Sequence, residues 1–132
     1  MSTKTTRAVL ILLILPHAFR HLGLSFLEPS LVNEGLSSTF AQAAGYGDFL
    51  SGLLAIMAVV VLHNRHVIAY SLVWTFSIIG TLDLVNALRQ ADAAPNLSTT
   101  WYTPTFFVPL LLVTHVMIFK RLLPEVSSRI SD

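Results

Sequence analysis

The chain has 132 residues, of which 54% are hydrophobic and only 11% charged, whereas soluble domains carry about 25% charged residues. A mean hydropathy of +0.70 over so short a length points to one small all-α integral membrane domain, residues 1–132, embedded in the lipid bilayer. A net charge of +1 without a basic cluster argues against nucleic acid as a partner, and the lack of cysteine excludes disulfides, thiolate metal sites and cysteine nucleophiles.

Four stretches approach the roughly 20 apolar residues that a bilayer crossing needs. They predict four antiparallel transmembrane helices in a compact up-down bundle. The first span, residues 8–27, opens on the aliphatic run Ala8–Leu15 and changes character at Pro16-His17-Ala18-Phe19-Arg20-His21. Lys4 and Arg7 before a short apolar run also fit a signal peptide, but no small-x-small cleavage site follows, so an uncleaved span is the stronger reading. Pro16 removes a backbone donor and predicts a kink. Glu28-Pro29-Ser30 ends the span, because proline disfavours helix in the residue before it.

A polar loop follows as far as Gly47, with a short interfacial turn at 38–44. Span two is predicted over 48–63, with Gly47, Ser51 and Ala55 at a four-residue spacing that lets helices pack closely. The His63–His66 linker is short enough to make spans two and three antiparallel neighbours. Span three covers 67–88 and carries Trp74, Gly80, Asp83 and Asn86. A polar loop over 90–103 contains Asn96-Leu97-Ser98, a glycosylation sequon taken as chance. Span four covers 104–122 and starts at Pro104, which suits a first helical turn. Trp101 and Tyr102 precede it, at the headgroup level that amphipathic rings favour. Lys4, Arg7, Arg65, Lys120, Arg121 and Arg129 fall on one side. The positive-inside rule therefore places both termini and the 63–66 linker in the cytoplasm, with the protein in the plasma (inner) membrane.

A charge at membrane depth costs at least about 2.5–3.5 kcal/mol on insertion scales, so Arg20 needs a partner. At about 1.5 Å rise per residue, Arg20 and His21 lie roughly 18–20 Å above the inner end of span one. Asp48 and Asp83 lie roughly 22 and 24 Å above the inner ends of spans two and three. These groups form one polar layer, the floor of a cavity open to the outside. Asn86, three residues after Asp83, shares its helix face, and so does His21, four residues after His17. Two plainer readings stand beside this one. Asp48 is also suited to an N-cap of span two, and Arg20 with Asp83 to a purely structural ion pair. Deeper in the bundle, His17 and His115 have matching depths and suit a shared metal, or a haem ligated from both faces. The plainer reading, which is the favoured one, is a pair of buried histidines bonded to a backbone carbonyl or to Thr114, because no third strong ligand completes a metal site. His63 and His66 are read as solvated.

The chain lacks His-Glu-x-x-His, a glycine-rich phosphate loop and Gly-x-Ser-x-Gly, three motifs of hydrolases and nucleotide binders. The leading expectation is a pocket for a small lipid-soluble molecule. Its polar end would comprise Arg20, His21, Asp48, Asp83 and Asn86, and its contacts Trp74, Trp101, Tyr102, Phe106, Phe107 and His115. If the protein is an enzyme, acid–base chemistry of the isomerase or cyclase type is the economical one. His17 or His21 would move a proton, Asp83 would orient it and Arg20 would stabilise negative charge. The alternatives are a homo-oligomeric proton- or ion-coupled transporter, or a structural subunit of a larger membrane complex.

Overall fold

The computed structural model describes residues 3–90, 95–100 and 102–130, and these contain helices and turns but no strand. Among the described residues, four helical stretches are long and apolar enough to cross a membrane: Lys4–Leu27, Ser38–His63, Ala69–Arg89 and Ser98–Pro124.

The first stretch has two windings. Helix α1 covers Thr3–Ile14 and continues without a break into a 3₁₀ helix over Leu15–Leu27. The change comes beside Pro16, whose missing N–H and ring prevent regular α-helical bonding at this point. At three residues per turn, every third side chain points the same way. Accordingly His17, Arg20, Gly23 and Phe26 are the buried residues of this segment. A uniform α-helix would not hold that row so straight.

Helix α2 spans Ser38–His63, with Ser37 as N-cap accepting from Phe40 N. It begins ten residues before the span predicted from Asp48, which corrects both that boundary and the N-cap reading of Asp48. The stretch Ser38–Gly47 reads as loop because it is rich in small and polar residues. It is helical because Phe40, Ala41 and Ala44 bury one stripe against Phe26 and Leu97. Helix α2 packs closely on the 3₁₀ segment. At Gly52 an added Cβ would stand 3.3 Å from His21 N, a backbone atom.

Arg65, at φ 55°, reverses the chain after α2. His66 N bonds Val61 O and Arg65 N bonds Leu62 O, a Schellman closure with arginine in the position that glycine usually takes. Helix α3 follows over Ala69–Arg89 and α4 over Val108–Ile130. A five-residue π turn, Thr103–Phe107, introduces α4.

Leu10, Ile14, Ala55, Ala58, Leu62, Ala69, Val73, Phe76, Ile118 and Leu122 form one buried apolar cluster. It gathers residues of α1, the second half of α2, the first half of α3 and α4. At the other end the loops are tied together: Asn33 N bonds Asn96 O at 2.9 Å, and Thr99 Oγ1 bonds Leu31 O at 3.0 Å.

Candidate functional site

The 3₁₀ row delivers Arg20 into the space between α2 and α3. Its Nε donates to Asp48 Oδ1 at 2.8 Å, its Nη1 to Gly80 O at 3.3 Å and its Nη2 to Asp83 Oδ2. Nη2 also lies 2.7 Å from Asp48 Oδ1. One guanidinium thus holds two carboxylates and a carbonyl from two helices. Charge-assisted bonds of this kind are about twice as strong as neutral ones, and arginine's planar fork suits carboxylate geometry. The second oxygen of each carboxylate lies against a glycine. A side chain at Gly23 would collide with the Asp48 carboxylate, and one at Gly47 with that of Asp83. Gly23 carries no signal of its own in the sequence, and Gly80 is marked there without a role. The available clue was their three-residue spacing from Arg20 and from Asp83.

His17 lies one 3₁₀ turn before Arg20 and is fully buried. Its Nε2 is 2.8 Å from Thr114 Oγ1, and that hydroxyl donates to Leu111 O at 2.7 Å. The threonine proton is therefore committed, so His17 Nε2 carries the hydrogen of its bond to Thr114. Its Nδ1 is left as a buried acceptor with no partner among the described residues. His115 is 1% exposed, and neither ring nitrogen has a hydrogen-bond partner among the described residues. The two imidazoles lie at a centroid distance of 4.3 Å, and both pack on Phe76 at 5.0 and 5.1 Å. At a metal–nitrogen distance of about 2 Å, two trans imidazoles would hold their centroids about 6 Å apart. The pair is too close to ligate a haem from both faces. No group of three His, Cys, Asp or Glu among the described residues could hold a metal ion.

Two small cavities flank the ion cluster. One, of about 30 Å³, is lined by Pro16, Phe19, Arg20, Leu22, Gly23 and Asp48 from one side, and by Tyr102, Thr103, Phe107, Val108 and Leu111 from the other. The second, of about 20 Å³, lies against Asp48, Asp83, Phe26, Phe40 and Pro104. The 3₁₀ helix and the π turn, both departures from regular α winding, thus form opposite walls of the first cavity. Irregular turns of this type recur at functional sites because they re-aim side chains.

Not every candidate joins this cluster. His21 is exposed, and its Nδ1 lies 2.8 Å from Ala18 O. Four residues correspond to about 480° of 3₁₀ rotation, so His21 is turned about 120° from His17, which corrects the shared face expected of an α-helix. Asn86 is exposed. Trp74 packs against Phe119, ring centroids 5.5 Å apart and tilted, beside the apolar cluster. Phe106 is 69% exposed, and its neighbour Phe107 takes the place in the wall. Tyr102 lines the first cavity. Trp101 lies outside the described residues.

A family profile matches residues 1–123. The chain belongs to the family described as Domain of unknown function (DUF8737). All of the residues that form the ion cluster, the imidazole pair and the cavity walls lie inside the matched stretch of that family. No curated protein matches the chain, and no solved structure does.

Proposed function

We propose that this family member is an integral membrane protein that binds a small lipid-soluble molecule in the crevice beside Arg20. In this reading the four helices alternate in direction, and both termini and the 63–66 turn lie on the cytoplasmic side of the plasma membrane. The clustering of Leu10, Leu62, Ala69 and Leu122 supports the alternation. The exposed apolar side chains of Leu12, Phe19, Val67, Leu82 and Val113 supply a surface suited to lipid.

The observation that carries the binding reading is the shape of the crevice. Its floor is the Arg20–Asp48 pair, and its rim is Phe19, Leu22 and Tyr102, all exposed. Apolar walls with a few convergent polar groups are the usual make-up of a ligand site. The linked loops over 31–36 and 95–99 cover the end of the bundle, so the way in runs between the flanks of the 3₁₀ helix and α4. A molecule already dissolved in the bilayer has direct access to such an opening. Below the imidazoles the interior is filled by Leu10, Ile14, Leu62, Val73 and Ile118, each 0% exposed. A transport path needs polar lining at that depth, which favours binding over transport. The bare Nδ1 of His17 is a base in principle, but His17 does not line the crevice, so the geometry favours binding over catalysis as well.

Native mass spectrometry of gently purified protein tests the proposal. Wild type is expected to retain a small hydrophobic molecule, and Leu22→Trp, which fills the rim at an exposed position, is expected to lose it. Equal retention by both proteins would overturn the site assignment.

A further inference from the structure

A crevice beside an ion cluster selects its ligand by charge, and here the sign follows from the groups that reach the opening. The cluster contains one guanidinium and two carboxylates, so in the ionised state it carries one surplus negative charge. Asp48 lines the crevice, and both carboxylates line the smaller cavity beside it. The Asp48 and Asp83 side chains are 13% and 15% exposed, against 1% for Arg20. Arg20 has already spent donors on Asp48, Asp83 and Gly80 O, whereas Asp48 Oδ2 and Asp83 Oδ1 receive no hydrogen bond from it. The same layer also holds a buried polar group without partners among the described residues. It is His115: its Nε2 and the Arg20 Nη1 both lie over Gly80, and neither ring nitrogen has a partner among the described residues. An uncompensated charge in low dielectric is costly, and the missing component is a cation rich in N–H donors.

Resting on the binding site proposed above, we infer that its ligand is an amphiphilic primary amine. The R–NH₃⁺ head enters the carboxylate layer and the apolar chain lies in the crevice between Phe19, Leu22 and Phe107. Size narrows the head group. The free volumes beside the ion cluster, about 30 and 20 Å³, each hold about one water-sized group, so the head alone enters them and the chain lies along the open rim. That admits –NH₃⁺, with three donors and no acceptor, and excludes a trimethylammonium. Phe26 and Phe40 also line the smaller cavity, and aromatic rings tolerate and attract a nearby cation. A hard metal ion needs six or more oxygen ligands, which these apolar walls do not supply. An anionic head group meets the surplus charge directly.

The test uses the full-length protein in phosphatidylcholine nanodiscs, with empty discs subtracted. Binding of decylamine, decan-1-ol, decanoate and decyltrimethylammonium is measured by equilibrium dialysis. Decylamine is expected to bind at least about tenfold more tightly than the other three, a difference of about 1.4 kcal/mol. Asp48→Asn, which keeps an acceptor for Arg20 and removes the surplus charge, is expected to bring decylamine down to the level of the alcohol. Asp83→Asn is expected to do the same and serves if the first variant does not unfold cooperatively. Decanol or decanoate binding as tightly as the amine would overturn the inference and leave the crevice reading standing. Unchanged amine affinity in a folded Asp→Asn variant would overturn it too. A wild type that takes up none of the four probes above empty discs would overturn both.

Discussion

The half of the bundle near the chain termini and the half near the long loops are built on different principles. In the first, Leu10, Ile14, Leu62, Val73, Ile118 and Leu122 are each 0% exposed and sit on regular α-helices. In the second, a 3₁₀ helix, a π turn and two glycine notches surround a buried guanidinium, two carboxylates and two small cavities. Packing alone needs only a stripe of apolar side chains, which any α-helix presents. Aiming charged groups from three segments at one point needs departures from that winding. The contrast separates a half packed by apolar side chains from a half wound to aim charged groups at one point.

Arg20→Leu should break the loop half most severely. It leaves two carboxylates facing each other, and removal of one partner from a buried ion pair costs about 3–5 kcal/mol. Thermal unfolding in detergent should show that loss, and adding Asp48→Asn and Asp83→Asn should recover most of it without restoring ligand binding. In the terminal half, Leu62→Ala should cost about 2–3 kcal/mol. In lipid the transfer term largely drops out and the unfilled cavity remains. Its binding properties should be unchanged, and altered binding there would show that the two halves are not independent. Thr114→Val removes the acceptor of His17 Nε2 and should cost about 1–3 kcal/mol, the penalty for a buried donor left unpaired. The smallest effect should belong to His21→Ala, within about 0.5 kcal/mol as for other exposed positions, with binding unaltered. A large effect at His21 would mean that residues 15–27 are wound as an α-helix.

Much of the loop half can be read from elementary arithmetic. A rise of about 1.5 Å per residue and the cost of an unpaired charge suffice to put Arg20, Asp48 and Asp83 in one layer, because both depend only on distance along a span. The matched depth of His17 and His115 follows in the same way. Facing directions are harder to read, since they depend on the winding. Pro16 announces a disturbance but does not say that thirteen residues of 3₁₀ helix follow, so His21 looks like a partner of His17 and is not one. The start of α2 was hidden for another reason. Ser38–Gly47 has a loop's composition, and its helicity depends on Phe26 and Leu97, both distant in sequence. Trp74 is ambiguous because an aromatic ring in a span serves a core as well as a ligand, and Phe119 on α4 decides the matter.

Tight winding also changes how far the first stretch reaches. At about 2.0 Å per residue in the 3₁₀ portion and about 1.5 Å in the rest, the 24 residues of Lys4–Leu27 extend about 43 Å, against about 36 Å as continuous α-helix. A hydrocarbon slab is about 30 Å thick, so in the proposed bilayer this element overhangs unless it leans strongly. The overhanging end is apolar, with Phe26 and Leu27 at its tip. Helix α2 starts early and the 95–100 loop folds inward at the level where that tip emerges, and Phe40, Ala41, Ala44 and Leu97 enclose it. The small apolar cluster outside the ion layer thus sheathes the end of a helix longer than the proposed bilayer is thick.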